Sequence, residues 1–145
     1  MAVLESQTME PYSIVSLILA LQFAAFGWRI NREIKVGDEG RKTWFPIADW
    51  INVLSMIATA FWGFIIPLAT HRFGHWSNIV VAVAGILIVL HPISMACHYR
   101  LPSKEGRAIY IRSRGDYPYA TGREIVWLVI TIVAATGVAW FVGTR

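Results

Sequence analysis

The sequence contains one cysteine, Cys97, so no internal disulfide can staple it, and no CxxC or paired Cys/His spacing marks a structural metal site. Charge is scarce: Asp, Glu, Lys and Arg make up only 15% of the residues. Also missing are a phosphate-cradling glycine loop, a nucleophile spaced to a base, and a carboxylate pair set for hydrolysis. These absences set aside a disulfide-stapled secreted domain, a zinc module and the familiar hydrolase and nucleotide-dependent enzymes. The expectation is a non-catalytic protein. The formal charge of +4 is not a nucleic-acid footprint, because the basic residues sit between apolar runs rather than on one face of a soluble domain. The first ten residues lack Lys and Arg, the reverse of a secretory signal's basic start, and read as a short acidic tail.

What the chain has instead is apolar length. Hydrophobic residues reach 56% and mean hydropathy +0.52 over 145 residues, more apolar surface than a soluble core of this size can hide. Four runs carry it, at about 12–28, 45–70, 76–97 and 125–142. At ~1.5 Å of rise per residue, each approaches or exceeds the ~30 Å of a hydrocarbon core. The predicted fold class is therefore all-α, an integral-membrane bundle of four transmembrane helices forming a single domain over 1–145. Pro11 fits the first turn of the first span, Tyr12 and Trp28 suit its two interfaces, and Pro67 predicts a bend in the second.

Of the thirteen Lys and Arg, all but Arg72 and Arg145 fall in the connections 29–44 and 98–124. Cytoplasmic loops carry such an excess, so both of these are expected to be cytoplasmic loops, with both chain ends outside, in a plasma (inner) membrane. Each half reads as helix, basic loop, helix, and each second helix starts with an acid near a tryptophan, Asp49 with Trp50 and Glu124 with Trp127. That pattern hints at a parallel internal repeat.

Depth arithmetic singles out a polar layer. Counted from the cytoplasmic ends, Gln22, Asn52, His91 and Thr131 each lie ~10 Å inward, with Asp49 one turn shallower on the second helix. Asp49, Asn52, Ser55 or Met56, Thr59 and Gly63 follow at steps of three and four, so they share one face. Ionisable groups at membrane depth turn to the bundle interior and mark functional sites by default, and the candidate pair is Asp49 with His91. The blander alternative pairs Asp49 with Arg29 or Arg32 and leaves His91 bonded to Asn52 or Gln22 as helix glue. A haem- or quinone-binding redox role near His91 is the most distant expectation, because no two histidines match in depth on different spans.

His71 and His75 have the spacing of two metal ligands on a helix, with Glu5 and Glu10 on the same side, but Gly74 favours a turn. In the long loop Arg107, Arg112, Arg114 and Arg123 alternate with Tyr110, Tyr117 and Tyr119, a mix suited to lipid headgroups or a partner. Thr131, Ala135, Ala139 and Gly143 form a small-residue stripe that lets helices approach closely. The leading expectation is an accessory or assembly subunit of a larger membrane complex, bound to lipid and to other integral membrane subunits, with no cofactor of its own. The alternative is a small homo-oligomeric transporter or permease-like protein using Asp49 and His91.

Overall fold

A computed structural model describes residues 2–40, 43–102 and 120–145, with side chains from Pro11 onward. Four helical spans cross it: α1 (Ala2–Asp38), α2 (Ile47–Thr70), α3 (His75–His98) and α4 (Gly122–Gly143). All four are long and apolar enough to cross a membrane, and the architecture is the predicted all-α four-helix bundle. α3 is central: α1 and α2 pack on it, and α4 lies along it. Consecutive spans run antiparallel, so the connections after α1 and α3 meet at one end and the short α2–α3 turn lies at the other. At the first of these ends Ala48, Met95, Tyr99 and Leu128 form a small buried cluster.

α1 departs from expectation at both ends. It begins at Ala2, so Pro11 lies inside the helix, and the residues read as a tail are helical. It also continues to Asp38, through residues read as a solvated loop, and turns only at Gly37–Gly40, where Gly40 takes φ +69°. The segment 29–36 holds no Gly or Pro, and its charges neutralise one another across a helical turn: Arg29 and Glu33, both buried, form an i,i+4 ion pair at 2.8 Å.

On α2 the polar face points inward as its spacing predicted. Asp49, Asn52, Met56, Thr59 and Gly63 are buried, followed by Pro67. The expected irregularity at Pro67 takes the form of a π-helical segment at Thr59–Ile65, immediately upstream. Proline has no N–H and crowds the carbonyl one turn before it, and a wider turn there relieves both problems. α1, α2 and α3 come close together at Gly63, where a Cβ would meet Val81 Cγ2 at 3.2 Å and Val15 Cγ1 at 3.5 Å. Nearby, Tyr12 packs edge-on against Phe64 and Phe73.

The close approach at Gly63 has a measurable cost when filled. Gly63→Leu should lower stability by ~1–3 kcal/mol through overpacking, as read by thermal unfolding in detergent. Gly27→Leu, at a position with no atom within 4 Å, should change it little.

Candidate functional site

The site begins with a buried arginine at the end where the two longer connections meet. Arg29, 2% exposed, is held on α1 one turn before Glu33, and its guanidinium reaches four groups. Nε donates to Asp49 Oδ2 at 2.5 Å, Nη2 to the Trp44 carbonyl at 2.5 Å, and Nη1 to Glu33 Oε1 and the Tyr99 hydroxyl. Glu33 completes the closure: its Oε1 also accepts from Arg32 and its Oε2 accepts the Trp44 N–H at 2.8 Å. Trp44, in the connection leading into α2, is thus gripped by both its N–H and its C=O. Phe45 and Tyr99 stack near the guanidinium, and Tyr99 also lies under Arg32.

Asp49 joins this cluster to the interior. Its second oxygen, Oδ1, lies 2.9 Å from His91 Nε2. A carboxylate paired to arginine only accepts, so His91 Nε2 carries the proton and donates. The candidate pair is therefore in contact, and so is the Arg29 partner of the blander alternative. Asp49 has two oxygens and uses both.

One layer deeper, Asn52, His91, Ser94 and Thr131 line a cavity of about 10 Å³, closed by Ala48 and Leu128 among others. That is room for one water. Asn52 Oδ1 is buried and has no hydrogen-bond partner among the described residues, whereas Thr131 Oγ1 donates to the Trp127 carbonyl and keeps its lone pairs free to accept. A water here would link Asn52 and Thr131 beside His91 and extend the Arg29–Asp49–His91 chain toward mid-membrane. Gln22, expected in the same layer, is fully buried elsewhere and donates to Ser55 Oγ at 3.0 Å across the α1–α2 contact.

A second clasp, absent from the expected site, closes the α3–α4 hairpin. His98 Nδ1 lies 2.9 Å from Glu124 Oε2, and the same oxygen accepts the Thr121 N–H at 3.2 Å. Thr121 returns the contact by accepting from the Glu124 N–H, completing a capping box, and donates to the Cys97 carbonyl. Glu124, expected only as the acid that starts the fourth helix, is 0% exposed. Asp49 and Glu124 both sit three residues past the N-cap of their helices, and each is paired with a basic side chain of the preceding span, Arg29 and His98. The T-x-x-E signature at 121–124 was visible in the sequence; the reach of His98 to it was not.

The remaining candidates separate. His71 closes α2 in a left-handed conformation (φ 53°) and His75 opens α3, so a turn divides them and the helical two-ligand relation does not form. Among the described residues no group of three or more His, Cys, Asp or Glu is gathered as a metal site would require. The side chains of Glu5 and Glu10 lie outside the described part. So do Arg107, Tyr110, Arg112, Arg114, Tyr117 and Tyr119, while Arg123 is exposed in the first turn of α4. A haem ligated by His91 or His98 would have to use the ring nitrogen not turned to a carboxylate.

These features define a small multi-pass integral membrane protein with an ion-paired, buried polar cluster at one end. No known family model matches the chain, and neither a curated protein nor a solved structure shows similarity to it.

Breaking this cluster on one side leaves a buried charge. Asp49→Ala should cost up to ~3–5 kcal/mol by taking from Arg29 one of the two buried acids that balance it and from His91 its acceptor, and the double variant Asp49→Leu with Arg29→Met should recover part of that loss. Unfolding in mixed detergent micelles measures both. A double variant as unstable as the single would mean that the pair does not account for the loss.

Proposed function

We propose that the protein is a non-catalytic accessory or assembly subunit of a larger membrane complex. The observation that carries this reading is the placement of α4. It packs along α3 and turns Ile125, Val126, Val129, Ile130, Ile132 and Val133 outward, with Trp140 75% exposed and Phe141 54% at its far end. Large rings beside an apolar face suit contact with another membrane subunit as well as with lipid. The buried charges support the same reading, because Arg29, Asp49 and Glu33 satisfy one another and make a rigid scaffold. The reading places the protein in the plasma (inner) membrane, with the connections 29–44 and 98–124 on the cytoplasmic side, in keeping with their share of Lys and Arg.

A second reading, a small homo-oligomeric permease-like transporter, is favoured by one specific observation. Asp49 and His91 are in hydrogen-bond contact at 2.9 Å, and His91 borders a small cavity also lined by Asn52, whose Oδ1 has no hydrogen-bond partner among the described residues. An ionisable pair at such a place could couple proton movement to a conformational change.

Gentle extraction from the host membrane, with native mass and identification of co-migrating chains, separates the two readings. The subunit reading expects a fixed ratio to larger polypeptides; recovery as a discrete homo-oligomer alone would overturn it. In that second case, Asp49→Asn and His91→Ala should each abolish pH-dependent flux in vesicles while folded protein persists. Undiminished flux in either variant would exclude the coupled-pair role.

A further inference from the structure

At the end of the bundle opposite the ion cluster, the turn from α2 into α3 leaves a groove of about 690 Å³. Its polar wall is the start of α3. The helix begins at Gly74, which has no side chain to cap it, so the N–H groups of the first turn point out unmatched and carry the positive end of the helix dipole. Arg72 and His75 line the same groove, and among the described residues no carboxylate does. Arg72 makes no ion pair among the described residues.

The second, independent feature is Ser77. It is 4% exposed and lines the groove, yet its hydroxyl has no hydrogen-bond partner among the described residues. The hydroxyl itself is open to the groove, so it can donate to a molecule seated there. A helix N-terminus, an unpaired guanidinium and a waiting hydroxyl together fit an anionic oxygen cluster.

The other wall decides the source of that anion. Trp62 and Ile66 belong to membrane-spanning α2, and Trp76 is the second residue of α3, 70% exposed. A groove polar at the helix start and apolar down the span accepts a molecule with a phosphate at headgroup level and chains beneath it. We propose that this groove is a binding site for the phosphate of an anionic membrane phospholipid, with Arg72, Ser77 and the first-turn N–H groups of α3 as its donors. The proposal is independent of which function above holds.

Gly74 supplies the test. Its φ of −85° and ψ of 170° suit an N-cap residue, and a Cβ there meets no atom within 4 Å, so Gly74→Asp fits without strain and caps α3 with its own carboxylate. The full chain is placed in vesicles of phosphatidylglycerol and phosphatidylcholine, extracted mildly, and its retained lipid counted by native mass spectrometry. Wild type should retain phosphatidylglycerol over phosphatidylcholine. Arg72→Gln should weaken retention about fivefold, the scale of one basic residue near an anionic surface. Gly74→Asp should lose it more than tenfold while melting no lower than wild type. Equal retention by wild type and both variants, or no preference for phosphatidylglycerol, would overturn the site. If inorganic phosphate raises the melting temperature of lipid-stripped wild type as far as phosphatidylglycerol does, and Gly74→Asp abolishes both effects, the lipid assignment fails in favour of a free anion.

Discussion

Asp49 divides its carboxylate between two parts of the chain. One oxygen takes the Arg29 guanidinium, inside the hairpin of α1 and α2, and the other takes His91 from α3, in the second hairpin. Lipid tails are as apolar as leucine, so burying leucine between helices does little to choose one packing over another. Directional polar contacts in a low-dielectric setting can make that choice, because a misregistered alternative would leave Arg29 or Asp49 unpaired where an unpaired charge is most costly. The bond from Asp49 to His91 ties one hairpin to the other, and His91 also borders the cavity next to it.

The two hairpins are closed in the same way with different chemistry. In each, an acid in the first turn of the second helix meets a basic side chain of the first, and a residue in the connection shortly before the second helix, Trp44 or Thr121, is pinned by its neighbours. The first clasp uses arginine, which stays charged, with two acids to balance it and Arg32 alongside. The second uses His98, which can hold Glu124 either as an ion pair or as a neutral hydrogen bond. Glu124 Oε1 is left without a partner among the described residues, so this clasp is the less saturated of the two.

The opposite end is held by shape. Gly63 lets α1, α2 and α3 close up, the π-helical turn accommodates Pro67, and the edge-on rings of Tyr12, Phe64 and Phe73 fill the space beside the α2–α3 turn. One end is therefore specified by hydrogen bonds and charge, and the other by close packing. Among the described residues no acid lines the groove at the packed end.

The number of spans, their approximate extent and the inward face of α2 were legible in the sequence. Each depends on a local property: run length against bilayer thickness, and the repeat of three and four that puts Asp49, Asn52, Met56 and Thr59 on one side. The extension of α1 through Arg29 and Glu33 and the burial of Glu124 were not legible, because a charged residue read alone belongs in water. Their burial depends on partners distant in the chain: Trp44 and Asp49 for Arg29, His98 for Glu124. The sequence by itself determined that this chain makes four apolar helices carrying a few polar groups at similar depths. Only the tertiary structure decided which of those groups meet, since several pairings at matching depth satisfy the same hydropathy and only the packing of α1, α2 and α4 around α3 chooses among them.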